Sequence, residues 1–492
     1  MGDERLKLAP CPLCRRYRDP SEFWLDLGIG LSVGFASKLM SADRRHETLL
    51  TKLAINRFAD LALERRDPAN SQRLNARQLC NLVLPGFLIL ALLLSWRDVR
   101  AQELVLPTDV PRSPNAAARL LTKAQPSGLF KLGPFDFYPR LSGTVYYDDN
   151  INGSASNTLH DIAWTVAPGF SAVARNSDVE REKSLTFEYT PVFRFYADHD
   201  ELNSIDHAGR VAGRWSGSKL GIGFDQAFLA SSQSSPDVGG RVDQFTATSG
   251  LTSELRLGYK TSLQVDAALA LADNETFASS RDWSNSDWLN YRLSPKLTIG
   301  AGVVLGYLDV ERGANQAVTG NPDQTYEQLR ARAVCFVNDK VNLRASAGAE
   351  LRQYRGGAGD TLSPVWDLTG VVQPRRGTTL TLRIFQRYSS SALSADQNYL
   401  DTGVGATVAQ RFFDRFVATI DGAYSRADYR GTVAGVSAPR LDNIYSVRGG
   451  LDAFITGNWT AGIFYSYQRD DSSDGLFSFV RNQFGVRSSW SF

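Results

Sequence analysis

Cysteine, histidine and methionine are scarce in this chain: four, four and two among 492 residues. Four cysteines are too few for a disulfide scaffold, and only Cys335 lies in the long β-like portion. Cys11 and Cys14 form CPLC, half of a zinc site, but no second CxxC or nearby histidine pair completes four ligands, so neither a metal nor a cofactor is expected. The histidines leave little for nucleophilic or acid–base chemistry. His46 lies far upstream, and His160, His199 and His207 fall in or beside segments that read as loops, with no serine placed opposite them at comparable height; no enzyme is expected. An excess of one charge is missing too. Lys and Arg number 54 against 52 Asp and Glu, a formal net charge of +2, which gives no ground for a nucleic-acid partner.

Long apolar runs are absent but for one. Arg73 and Arg77 precede a run from Leu79 to Trp96, and VRA then supplies small-residue spacing for cleavage after Ala101. Residues 73–101 therefore read as a signal peptide. Pro85 and Gly86 inside the run, and its cleavage-like end, argue against the competing reading of an uncleaved anchor. Residues 1–72 precede it, an unusual place for such a signal, and read as an extension or an early start. Residues 102–134 are proline-rich without a sustained period and read as a periplasmic linker.

From residue 135 to 492 a period of two takes over. In NWTAGIFYSYQ, Trp459, Ala461, Ile463, Tyr465 and Tyr467 share one face, and small or polar residues share the other. LTIGAGVVLGY (297–307) and VNLRASAGAELR (341–352) alternate in the same way. Three features favour a membrane barrel over a soluble sandwich. Many strands run about ten residues, the length a tilted strand needs to cross a bilayer. Trp459, Tyr467, Trp288, Tyr445 and Trp490 gather near strand ends, as interfacial girdles do. Tight links such as TGN, FFD, PRRG, NDK, SPK and SGSK alternate with long polar stretches, which places turns at the periplasmic end and loops outside. The expected fold is all-β: one antiparallel transmembrane β-barrel of about eighteen strands, with sixteen as the fallback, in the outer membrane of a Gram-negative bacterium. Pro168 and Pro191 sit inside strands, where each forfeits a ladder bond, and bulges are expected there.

The chain ends on RSSWSF. Phe484, Val486, Ser488, Trp490 and Phe492 share one parity, and this strand resembles the terminal assembly signal of outer-membrane barrels, with Phe484, Val486, Trp490 and Phe492 as the residues read by strand pairing. Outer-membrane lipid and the barrel-assembly machinery are the implied partners.

A second resemblance lies at the start of the barrel. LGPFDFYPRLSGTVYYDDNI (132–151), followed by DIAWTVAPGF (161–170), is similar to the opening of the beta-barrel porin type 2 family, with Tyr147, Asp148, Asp149, Asn150 and Ile151 and then Pro168 and Gly169 at the matching positions. Members often stand beside exopolysaccharide genes, so the resemblance implies a porin-like conduit, in some cases associated with polysaccharide export and its components. Residue chemistry allows one other reading of YDDN, a calcium site. Adjacent strand residues point oppositely, however, and Asp and Asn are turn formers, so the turn reading is preferred.

Parity also assigns a lumen. Arg330, Arg332, Arg344, Arg352, Arg383 and Arg387 fall on one wall, with Glu350 and Asp367 nearby to offset them. A pore with that lining would favour anions, acidic sugars included. The expected function is a passive pore or conduit. The alternative is a structural or anchoring barrel, plugged by its loops or linker, that docks envelope partners. Oligomeric state is left open.

Overall fold

The computed structural model describes residues 130–492 except 176–182, 315, 318–319 and 437–438. The signal peptide, the extension, most of the linker and the CPLC cysteines lie outside the described residues. The strands are β1 (Phe130–Leu132), β2 (Phe135–Asp148), β3 (Asp161–Arg175), β4 (Lys183–Tyr196), β5 (Ser204–Ser216), β6 (Leu220–Ser235), β7 (Gly240–Arg256), β8 (Thr261–Asn274), β9 (Ser279–Ser294) and β10 (Leu297–Glu311). Then follow β11 (Gln324–Asn338), β12 (Val341–Tyr354), β13 (Thr361–Val372), β14 (Thr378–Ser390), β15 (Gln397–Phe412), β16 (Phe416–Gly431), β17 (Arg440–Phe454), β18 (Trp459–Ser472) and β19 (Phe479–Ser491).

Strands β2 to β19 pair antiparallel in chain order, and β19 returns to β2 from Gln483↔Asp148 to Ser491↔Arg140, closing an eighteen-stranded barrel. Closure matters because no strand edge is then left unpaired in lipid. The short β1 pairs with Phe135 to Phe137 of β2, along the edge that β19 leaves below Ser491, so part of the stretch that reads as linker is strand.

Alternation sorts the side chains as the period predicts. Large apolar residues remain exposed on the outer face, Leu329 at 70%, Ile420 at 60% and Ile463 at 59% among them, while Gln264, Glu350 and Asp452 are buried within. Soluble monomers do not expose an apolar belt of this extent. A closed barrel that is apolar outside and polar inside is a transmembrane barrel of the Gram-negative outer membrane.

The eighteen barrel strands run from 12 residues in β13 to 17 in β7, longer than crossing requires. Much of what reads as loop is hydrogen-bonded strand beyond the bilayer: Ser231 to Ser235 belong to β6, and Ala427 to Gly431 to β16. Epitope tags inserted within 313–322 or 431–439 are expected to be reachable on intact cells, and tags at Asn338 or Gly457 to be hidden. Surface labelling with an impermeant antibody checks the sidedness, and the reverse pattern inverts the barrel.

The prolines correct one expectation. Pairing of β3 with β4 stops between Val166↔Phe193 and Phe170↔Tyr189 and resumes in unchanged register, so there is a gap and no bulge. In that register Pro168 and Pro191 stand directly opposite one another. Two donors are missing at a single site, and the ladder opens there without slipping. The register shifts lie instead beside short turns, at Leu297/Thr298 and Phe336/Asn338.

Candidate pore lining and outer mouth

Cross-strand register places Arg330 and Arg332 on β11, Arg344, Glu350 and Arg352 on β12, and Arg383 and Arg387 on β14, all on the inner face. Their partners differ. Arg352 donates to Glu350 at 2.6 Å and to Gln324 at 2.8 Å, and lies over the rings of Tyr326 and Tyr388. Arg383 donates to Asp367 at 2.9 Å. Arg387 pairs at 3.6 Å with Asp401 on β15, a compensating carboxylate that the sequence reading did not place on this wall.

Two of the guanidiniums have neutral partners. Arg332 donates to Asn290 and Gln264, both at 2.7 Å, and stacks 4.2 Å from the Trp288 ring. Arg330 donates to Ser346 at 2.6 Å and weakly to Gln328. Arg332 and Arg344 make no ion pair among the described residues.

Trp288 is a correction. It does not belong to the outer girdle; it faces the lumen at 6% exposure, beneath Arg332. Strand β9 carries polar residues on both faces, so its parity is weakly marked in sequence. Room for the indole comes from β10. A Cβ at Gly302 would collide with the Trp288 ring, and one at Gly306 with the Tyr326 ring, so bare backbone lets both aromatics lie flat against the wall.

The YDDNI motif turns the chain out of β2, with the Asn150 amide donating to Asp148 Oδ1 at 3.1 Å and the Gly153 amide to the Asn150 carbonyl at 3.1 Å, and its carboxylates are engaged within the protein. Asp148, 1% exposed, accepts from Arg481 Nε and Nη2, at 3.1 and 2.6 Å, and from Gln483 at 2.7 Å. Asp149 points the other way and accepts from the backbone and side chain of Asn482 at 2.6 and 2.7 Å. Asn150 donates to Val480, and Ile151 is buried against Ala163 and Tyr196. Tyr147 packs on Phe484. Together these residues clasp the first barrel strand to the last. No cluster of three or more His, Cys, Asp or Glu suited to a metal occurs among the described residues.

The histidines have structural partners. His199 Nδ1 lies 3.0 Å from Asp161, whose carboxylate also accepts three backbone amides of the β4–β5 connection. His207 lies near the start of β5, beside the β4–β5 connection, and meets the Tyr189 hydroxyl at 2.8 Å on the outer face. No histidine ring is hydrogen-bonded to a serine among the described residues.

At the outer end the loops turn inward and interlock. Asp237, in the β6–β7 connection, accepts from Ser391 Oγ at 3.0 Å, from the Ala392 amide at 2.5 Å and from Arg440 at 3.1 Å. Ala278 donates to the Ala392 carbonyl, and Gln316 both donates to Leu393 and accepts from Ala395. Val433 forms bridges with Gly356 and Gly357. Nothing local in the sequence marks these contacts: Asp237 sits in PDVGG, which reads as a turn.

Comparison with known proteins assigns no family. No protein-family model matches the chain, and no curated protein does. Solved structures with a similar barrel include OpdK of Pseudomonas aeruginosa with vanillate, at 14% identity and TM-score 0.39, covering 73% of this chain and 99% of that one. OccAB4 of Acinetobacter baumannii matches at 10% identity and TM-score 0.41, over 72% and 98% of the two chains. The FrpB iron transporter of Neisseria meningitidis matches at 10% and 0.37, over 70% and 62%. At this level of likeness nothing of their solutes transfers to this chain.

Proposed function

We propose that the barrel is a passive outer-membrane pore that prefers small anions, acidic sugars among them. The observation that carries this reading is the wall on β11 and β12, where Arg332 and Arg344 face the lumen without an ion pair among the described residues. Of the six arginines on this wall, Arg352, Arg383 and Arg387 pair with Glu350, Asp367 and Asp401, and Asp266 lies one hydrogen bond beyond the Gln264 that takes Arg332. Guanidinium stays charged at any working pH, so Arg332 and Arg344 set a fixed positive potential at the wall.

Reversal potentials across planar bilayers in a salt gradient test the proposal. The parent channel is expected to be anion-selective, and R330A/R332A/R344A to lose most of that preference. Low salt is the right condition, because at 0.1 M charges beyond about 10 Å are already screened. Cation preference in the parent, or an unchanged triple variant, ends the idea.

A second reading is favoured by the interlocked outer loops: a structural or anchoring barrel with a plugged lumen. It predicts no conductance. Association with exopolysaccharide export rests on the family resemblance alone, and the YDDNI residues that carry the resemblance are engaged in closing the seam.

A further inference from the structure

We infer that residues 391–396 form a strap across the outer mouth, latched by a carboxylate-binding site that the chain fills with its own Asp237. This rests on the pore reading and adds to it how the pore is closed and what competes for the latch.

The strap belongs to the β14–β15 hairpin and Asp237 to the β6–β7 hairpin. In an eighteen-membered ring β14 is eight strands from β6, and β15 eight from β7, so the contact joins nearly opposite rims. Along its course Ala395 is fully buried with Ala278, Leu308 and Val310, the last two on the inner face of β10. The strap therefore lies inside the barrel.

What holds it is mostly polar. Its sequence, SALSAD, offers small side chains, and Ala395 is its one residue in the buried apolar cluster. The Asp237 carboxylate gathers Ser391 Oγ, the Ala392 amide and, at 3.4 Å, the Leu393 amide. The same carboxylate takes Arg440, whose guanidinium is sandwiched 3.8 Å from the Tyr429 ring and 4.0 Å from that of Phe477 and is paired with Asp442 at 3.0 Å. A hydroxyl, two adjacent amides and an oriented guanidinium converging on two oxygens make a carboxylate site. Arg440 is 7% exposed, yet its Nη1 is buried without a hydrogen-bond partner, a donor that Asp237 leaves unused. A solute carboxylate entering the mouth meets a site shaped for it and occupied by a tethered competitor. Few apolar contacts oppose release at residues 391–393, while Asp396 stays tied by Arg312 at 2.6 Å and by the Thr432 amide at 2.8 Å, so the strap can open locally at its latched end while the barrel ladder stays intact.

The test is chemical rescue of Asp237→Ala in the purified full chain. Heat modifiability first establishes that the variant folds. Single-channel conductance in chloride is expected to rise severalfold over the parent, and acetate added to the outer chamber to bring it back down. In hydrogen exchange, the Ala392 and Leu393 amides are expected to be protected in the parent, fast in the variant and slowed again by acetate. Equal conductance in a conducting parent and variant overturns the strap while leaving the pore standing. An open variant indifferent to acetate, in both conductance and exchange, overturns the carboxylate site. Silence of parent, variant and a chain with 391–395 replaced by Gly-Gly overturns the strap as the closure and the pore reading with it.

Discussion

Arg481→Met is expected to cost the barrel about 3 kcal/mol or more, a factor of roughly a hundred in the folded-to-unfolded ratio, because it leaves a buried carboxylate uncompensated. Asp148 is 1% exposed, and Arg481 meets it with two nitrogens of one guanidinium. The pair clasps β19 to β2 where the barrel's last strand meets its first. Asp148→Asn in the Arg481→Met background should recover part of the loss, since a neutral amide is cheaper to bury. Arg469→Met is the contrast: its partner Asp471 and it are both about half exposed, and less than about 1 kcal/mol is expected. Urea titration in lipid vesicles, followed by tryptophan fluorescence, ranks the variants. Equal midpoints for Arg481→Met and Arg469→Met would remove the clasp from the account of closure.

The clasp also shows where sequence reading stops. Period two made β10, β12, β18 and β19 legible with the correct face outward, because one face is apolar and a slip of one residue would reverse it. Strand β9 lacked that contrast, and Trp288 went to the wrong side. The lumen-facing arginines followed from parity. Their compensation did not, since Asp401 meets Arg387 only through the register of β14 with β15. Asp148 and Arg481 are separated by 333 residues, and Asp237 and the Ala392 amide by 155, distances at which composition and local pattern carry no pairing information. What a period can specify is a face; which groups meet across it is decided by closure and shear.

Deleting Phe492 is expected to reduce severalfold the amount of folded, heat-modifiable protein in the outer membrane, with a much smaller effect on refolding into synthetic vesicles. The outward parity of Phe484, Val486, Trp490 and Phe492 is present in the structure, and Phe492 contributes the last rung of the seam through its amide to the Pro139 carbonyl at 3.0 Å. One terminal rung is a small part of a seam that pairs nine residues, so stability alone predicts a minor loss. A large loss in cells therefore reports recognition of the terminal strand by the assembly machinery. Ser488 separates the two contributions. Its Oγ accepts the Trp459 indole N–H at 2.8 Å, and the Trp459 ring lies 5.4 Å from Trp490 at the girdle. A serine where the signal has an apolar residue thus satisfies a donor that would otherwise face lipid. Ser488→Ala should cost about 1–2 kcal/mol in vesicles for the orphaned indole, with assembly in cells unaffected. The two variants are then opposite in kind: one fails to be delivered and the other is delivered less stable. Normal cellular levels after loss of Phe492 would refute the signal, and the terminal aromatic would stand only as a rung.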